Sequence, residues 1–172
     1  MTNPIPERVV NYNIYDETDK LVGVSAEVTL PNFEAMTETV SGAGIAGEFE
    51  SALPGHFGSQ TIEIPFRVLM DNSFSLMKNS GRSLVLRAAQ QSYDVAAGKS
   101  ERRPLKITLK YQPKGLNLGT LGVGAMTEST NTLEVLYIKV EENNNTMLEY
   151  DKLNFVFVVD GEDLLADIRN MI

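Results

Sequence analysis

The sequence contains no cysteine and no tryptophan, and His56 is its single histidine. Without cysteine there are no disulfide bonds, no thiolate nucleophile and no cysteine-based metal site, which fits synthesis in a reducing cytoplasm. His56 has no companion residues at the spacing of zinc ligands. A G-x-S-x-G sequence, which would indicate a nucleophilic serine, is also missing. We therefore expect neither an enzyme active site nor a metal or cofactor.

Long apolar runs are lacking too, so no segment is predicted to insert into a membrane, and the start of the chain has no signal-peptide pattern. Bases are few: 15 Lys and Arg stand against 23 Asp and Glu, giving a net charge of −8. Such a balance argues against binding to a nucleic-acid backbone, which requires clustered bases. The one basic cluster, around Arg102 and Arg103, has no interleaved aromatic residues on which bases could stack.

What the chain does contain is typical of one globular domain. It has 172 residues, of which 42% are hydrophobic and 22% charged, enough for a sizeable core. The charge is segregated along the sequence: residues 1–60 carry 9 acids and 2 bases, residues 61–115 carry 4 and 10, and residues 116–172 carry 10 and 3. These segments could pair with one another inside one subunit or present complementary patches to a neighbour.

Alternation of apolar and polar residues predicts a mainly β, antiparallel sandwich or barrel. Pro65 places its strand at an edge or a bulge. The polar residues Asp16 to Lys20, Ala97 to Arg103 and Asn143 to Asn145 predict turns, and a glycine-rich connection spans Gly115 to Gly124. The predicted strands cover residues 10–14, 22–30, 62–68, 84–95, 105–111, 133–140 and 153–159.

Two short helices are predicted. Asp71 is expected to cap a central helix that presents Phe74 and Met77 on one face and ends near Gly81. Asp160 is expected to cap a C-terminal helix. The apolar stripe of that helix is expected to dock on the core of its own subunit, and it consists of Leu164, Leu165, Ile168 and Met171.

Residues 30–50, LPNFEAMTETVSGAGIAGEFE, are predicted to be neither strand nor helix. Gly42, Gly44 and Gly47 spell G-x-G-x-x-G, but no buried strand precedes them and no long helix follows, so a dinucleotide site is rejected. Two interpretations remain. The segment is either a flexible surface loop or a loop whose glycines let its backbone lie against another subunit.

Two stretches resemble a known family. The chain's end, DKLNFVFVVDGEDLLADIRNMI, resembles the C-terminal signature of the major tail tube proteins of contractile-tailed bacteriophages. The early glycine stretch resembles that family in its Leu-Pro and its Gly-Ala-Gly-x-x-Gly. The matching C-terminal positions are Asp151, Leu153, Asn154, Val159, Gly161, Asp163, Leu165, Arg169 and Ile172.

The resemblance implies a structural virion protein, assembled in the host cytoplasm, whose hexameric rings stack into a tube inside a contractile sheath. The strands of such a tube join across subunits, and its lumen conducts DNA without specific binding. The implied partners are further copies of the chain, the tail sheath protein, the baseplate and tail terminator proteins, the tape measure protein and phage DNA. Tubes of contractile bacteriocins and type VI secretion are related, and the sequence does not separate them from a phage tube.

Within this picture, the segment from about Pro31 to Gly58 is predicted to be mobile in the free subunit and ordered against a neighbour. Its apolar side chains motivate this prediction, because a loop made only for solvent does not need them. The candidate inter-subunit contacts are Gly42, Gly44, Gly47, Phe49 and Phe57. Two rivals rank lower: an enzyme with a dispersed site, and a β-sandwich carbohydrate-binding module, which usually presents tryptophan or tyrosine for sugar stacking.

Overall fold

The structure is a computed structural model that describes residues 4–17, 19–25, 27–78 and 81–172. Within these ranges the chain consists of antiparallel strands and two short helices, as the alternating pattern predicts. The strands are Pro4–Asp16 (β1), Asp19–Lys20 (β2), Ala35–Ser41 (β3), Glu48–Phe57 (β4), Thr61–Phe66 (β5), Ser83–Asp94 (β6), Lys99–Asn117 (β7), Ser129–Glu142 (β8), Asn145–Asp151 (β9), Val156–Val159 (β10) and Glu162–Asp163 (β11). The helices are Asp71–Ser75 (α1) and Ala166–Met171 (α2).

One large sheet contains nine of these strands, in the order β11-β10-β9-β8-β7-β6-β1-β2. β5 joins it by pairing with the first half of β8, from Thr61 opposite Glu134 to Phe66 opposite Ser129. The second half of β8 pairs with β9 instead, beginning at Tyr137 opposite Asp151. β8 is therefore the strand on which the sheet branches, and each of its residues is buried or half-buried.

The hydrophobic core lies on one face of β1, β6, β7 and β8, beneath a layer formed by β5, α1 and the segment around Leu21. Alternate residues of each strand point to the same face. Those that point towards the core are almost fully buried. Burial of this area is the main favourable contribution to folding. The core comprises Ile14, Leu21, Ile62, Ile64, Phe66, Leu76, Leu84, Leu86, Ile107, Leu109, Tyr111, Leu133, Val135, Ile138 and Tyr150.

Ion pairs connect the positive middle segment to the negative segments inside the subunit. Arg103 pairs with Glu142 at 2.8 Å and Lys106 with Glu141 at 3.5 Å, both between β7 and β8. Arg82 pairs with the buried Asp16 at 3.1 Å, and this hydrogen-bonded carboxylate raises the pKa of Arg82. For these residues, the segregation of charge along the sequence therefore serves contacts within one subunit.

The turn predicted around Asn144 forms, whereas the prediction of a turn from Ala97 to Arg103 is wrong beyond Gly98, because Lys99 to Arg103 pair in β7. Asn143 and Asn144 have φ values of 50° and 64° in the two-residue turn between β8 and β9, the backbone conformation that a type I′ turn requires. The β6–β7 turn falls at residues 95–98, where the Asp94 carboxylate accepts hydrogen bonds from the backbone of Ala96 and Ala97. β7 then extends beyond its predicted bounds at both ends, because flanking polar residues also pair in the sheet.

The predicted strand over residues 22–30 is wrong. The described residues of this segment make only isolated bridges, Val24 with Phe66 and Thr29 with Glu63. Gly23 has a φ of 87°, which breaks the extended conformation just after Leu21. Ala26, part of the predicted strand, and Thr18, part of a predicted turn, lie outside the described residues.

The details of both predicted helices also need correction. Ser73 of α1 and Leu76, which follows the helix, are buried while Phe74 is exposed, and Asp71 is the first residue of α1, with no side-chain cap. The C-terminal helix begins at Ala166 rather than after Asp160. Asp160 and Gly161 instead form the turn between β10 and β11, with φ values of 49° and 83°. Aspartate followed by glycine is a frequent turn sequence in hairpins, and its local preference overrides capping.

Candidate functional site

Residues 35–57 form a two-stranded β-hairpin, β3 with β4, that is separate from the large sheet. The interpretation of this segment as neither strand nor helix is wrong, because Ser41 pairs with Glu48, Val40 with Phe49 and onward to Thr37 with Ala52. Nearly all residues of the two strands are exposed. The strands therefore lack the alternation of buried and exposed residues that is typical of a strand in a sheet.

Glycines make the tight turn at the tip of this hairpin. Gly44 and Gly47 have φ values of 89° and 104°, a conformation that side-chain-bearing residues rarely adopt. The backbone of Ile45 donates a hydrogen bond to the carbonyl of Gly42 at 3.1 Å. An added Cβ would meet nothing within 4 Å at Gly42, Gly44 or Gly47. Within the subunit, the turn at Gly44 and Gly47 therefore depends on their backbone freedom and not on close packing.

One face of the hairpin carries its large apolar side chains together with Glu38 and Ser51, and the other face is mainly polar, as follows from the register and from alternation along each strand. Met36, Phe49 and Leu53 share the apolar face and are 54%, 53% and 52% exposed. The opposite face carries Thr37 and Glu50 among other polar residues. A two-stranded hairpin is at best marginally stable alone in water, and this one leaves large apolar side chains exposed in the single subunit.

The base of the hairpin is fixed to its own subunit by aromatic packing. The ring of Phe57 lies 5.0 Å from that of Phe157 and 5.1 Å from that of Tyr150, both edge-on, and 5.4 Å from that of Phe33. Such edge-on aromatic pairs contribute about 0.5–1.5 kcal/mol each beyond their burial. The structure thus brings Gly42, Gly44, Gly47 and Phe49 together at the tip, whereas Phe57 packs inside the subunit at the base.

Residues of the C-terminal signature, 151–172, pack against the base of the hairpin. An added Cβ at Gly55 would lie 2.5 Å and 2.9 Å from the two Cδ atoms of Leu165, and the hydroxyl of Tyr150 donates a hydrogen bond to the Gly55 carbonyl at 3.2 Å. Arg169 forms a two-point ion pair with Asp163 and donates to the carbonyl of Phe155 at 3.0 Å. The Arg169 guanidinium holds the pKa of Asp163 below its usual range.

The apolar stripe predicted for the C-terminal helix packs only in part on its own subunit. Leu165 docks on its own subunit as predicted, but it does so just before the helix begins. Leu164, by contrast, is partly exposed, and Met171 is largely so.

Gly55→Ala should destabilise the subunit by about 2 kcal/mol, through strain at a φ of 72° and the clash with Leu165. Gly58→Ala is the matched control, because an added Cβ there meets nothing within 4 Å. Unfolding in urea measures both variants. Equal stability of the two would show that the hairpin base is not tightly packed.

A second surface feature lies at the β1 end of the large sheet. It is a groove of about 890 Å³ between β1 and residues 20–25 and 27–30, with Leu86, Ala88, Leu105 and Ile107 at its floor. Tyr12 crosses it and donates a hydrogen bond to the Ser25 carbonyl at 3.1 Å. Burial, with a smaller contribution from Glu27, raises the pKa of Tyr12. Sequence reasoning missed this groove because it arises where the predicted strand 22–30 fails to pair.

The edge of β1 beside this groove is open. In the described part of the chain, β1 pairs with β6 along one side, but on the other side only Tyr15 and Asp16 pair, with β2. Val9, Val10 and Val22 are exposed around the groove. An open edge flanked by apolar side chains is a site at which another chain can add.

The described residues offer little that resembles a catalytic or metal centre. No three His, Asp or Glu side chains in the described ranges could hold a metal ion, and His56 stacks near Phe155 with ring centres 5.5 Å apart. None of the described helices is long and apolar enough to cross a membrane. The fold and its two exposed surfaces define a class: a mainly antiparallel β protein with apolar side chains exposed at a hairpin and at a groove.

Comparison with known proteins makes the assignment specific. The family model for phage tail tube protein FII matches residues 6–172, and the chain belongs to that family. The family is structural and not enzymatic, so the chain is a structural protein of a tail tube. A comparison with curated proteins finds no match.

Solved structures support the same fold. One that matches is the sheath/tube terminator, in the extended state, of an extracellular contractile injection system called PVC. It is 13% identical, with a TM-score of 0.54, and the alignment covers 79% of this chain and 96% of that one. At this identity the likeness concerns the fold. The resemblance of the two sequence stretches to tail tube proteins is thereby confirmed at the level of the family.

Proposed function

We propose that this chain forms hexameric rings that stack into the inner tube of a contractile phage tail, and that the tube conducts DNA during infection. The observation that carries the proposal is the family match over residues 6–172. The apolar hairpin and the open β1 edge support it, because a protein that works as a polymer needs surfaces left incomplete in one subunit. Assembly in the host cytoplasm and residence in the virion follow from the same proposal.

The proposed contacts between copies centre on the hairpin tip, with Gly42, Gly44, Gly47 and Phe49 at its turn and apolar face. Phe57 contributes by fixing the hairpin base. Burial of a side chain such as Phe49 contributes roughly 1.5–3 kcal/mol before ordering costs, and a ring repeats the contact once per subunit. The further proposed partners are the tail sheath, baseplate, tail terminator and tape measure proteins.

DNA is proposed to pass through the lumen without specific binding. The net charge of −8 opposes backbone binding. Basic residues on the polar face of the sheet also have acidic neighbours: Lys139 lies 3.5 Å from Glu141, and Lys114 lies 3.5 Å from Glu134. Paired bases attract phosphates less than free ones do, so this face is compatible with sliding DNA.

Negative-stain electron microscopy of the purified chain tests the proposal. We expect rings, or hollow tubes built from stacked rings, at micromolar protein. A chain that stays monomeric under all conditions and shows ligand turnover would support an enzyme instead. A tube from a bacteriocin is a second candidate, which the comparison with an injection-system component favours; the neighbouring genes decide, since a bacteriocin cluster lacks capsid and terminase genes.

A further inference from the structure

We propose that the hairpin tip of one copy occupies the groove beside β1 of the next copy. This inference rests on the proposed function, because it names the surface that receives the hairpin in the assembly. Both surfaces are exposed in the single subunit: Phe49 and Ile45 at the tip, Val9, Val10 and Val22 around the groove. Each is an apolar surface without a partner in the described part of the chain.

The shape and polarity of the two surfaces match. The groove is open, about 890 Å³ in volume, and its floor is the apolar face of β1, β6 and β7. A hairpin tip is narrow, and the apolar face of this one presents Phe49 next to Val40. Inserting such a tip would cover the exposed side chains of Val9, Val10 and Val22 around the groove, whose floor residues Leu86 and Ile107 are already almost fully buried. The contact would remove apolar area from water on both copies at once.

The charges also match. Residues 34–57 contain four glutamates, Glu34, Glu38, Glu48 and Glu50, and no lysine or arginine. The groove is lined by the exposed bases Lys20 and Arg67 against a single carboxylate, Glu27. Opposite charges at the rim of an apolar contact contribute mainly to its specificity and register. An acidic tip is therefore favoured in this groove over a basic one.

The two surfaces are different patches of the subunit. The hairpin base packs on Tyr150 of β9 and Phe157 of β10, whereas the groove lies beside β1, four strands from β9 in the sheet order. A contact between two different patches is heterologous, so each copy gives its hairpin to one neighbour and receives one from another. Such contacts close into rings or continue as polymers.

Cysteine cross-linking tests the inference, since the chain has no cysteine of its own. In the variant carrying Ile45→Cys and Val22→Cys, mild oxidation of the polymers should produce a ladder of covalent trimers and larger species. Each single variant can give dimers at most. Thr37→Cys with Val22→Cys is the matched control, because Thr37 lies on the polar face of the same hairpin and should give no ladder.

A second pair, Glu48→Cys with Lys20→Cys, replaces two exposed charged residues and gives the same readout if the first pair assembles poorly. A ladder from either pair supports the inference. Normal polymers without a ladder from both pairs overturn the groove as the receiving surface and leave the proposed function standing. If the unmodified chain forms neither rings nor tubes, the proposed function fails, and this inference fails with it.

Discussion

Phe49→Glu should prevent assembly while the subunit stays folded. Phe49 is 53% exposed on the apolar face of the hairpin, so its replacement costs little in the free subunit. In the polymer, the substitution removes roughly 1.5–3 kcal/mol of apolar burial and adds a charge to a desolvated contact. Each contact should weaken at least tenfold, since 1.4 kcal/mol corresponds to a factor of ten. Sedimentation velocity measures polymer formation, and thermal melting measures the subunit.

Thr37→Glu is the matched control for that variant. It adds the same charge to the same hairpin, but on the polar face and opposite Ala52. We expect it to assemble much as the unmodified chain does. Equal loss of assembly in both variants would mean that any added charge on the hairpin is harmful, and the apolar face would then have no special role.

Phe66→Ala should destabilise the subunit by about 3–5 kcal/mol, the cost of removing a large buried aromatic side chain and leaving a cavity. Phe66 is fully buried at the end of β5, where its backbone also bridges to Val24. Its side chain belongs to the core cluster that β5 shares with β1, β6, β7 and β8. Phe74→Ala is the control, because Phe74 is 49% exposed on α1 and should cost less than about 1 kcal/mol. Urea unfolding compares the two, and similar losses would contradict the layered core.

Alternation of apolar and polar residues in the sequence predicted those strands that have one face buried and the other exposed to solvent. β5 and parts of β1, β6 and β7 follow this rule, because a period of two is the physical signature of a half-buried strand. The rule failed at residues 22–30, where the alternation continues through Gly23 although the backbone turns there. Apolar alternation alone does not show whether a partner strand is available to pair.

The hairpin was missed for a related reason. Both of its faces are exposed in one subunit, so burial gives no period, and the glycines of the turn suggested a loop throughout. Its role as a contact surface was predicted from its apolar side chains, and it stays a prediction. The groove could not be predicted from sequence at all, because it is formed by residues far apart in the chain, such as Val10, Val22 and Leu105.

The C-terminal signature shows that a local sequence pattern can indicate the family and still leave the local secondary structure undecided. The resemblance correctly indicated the family, but the helix-capping interpretation of Asp160 was wrong. Asp160 belongs to a hairpin turn, and the Asp163 side chain binds Arg169 and the backbone of Leu165. Capping and turn formation draw on the same short polar residues. Only the pairing of β10 with β11 decides between them.

Hydrogen exchange, measured by mass spectrometry on the free subunit and on the polymer, tests the central claim most directly. In the free subunit, amides of β3 and β4 should exchange quickly, because this hairpin is exposed and isolated from the large sheet. In the polymer, amides from Met36 to Leu53 should exchange at least tenfold more slowly, whereas those of the buried strand β8 should change little. Unchanged exchange in the hairpin, with protection appearing elsewhere on the surface, would contradict the account.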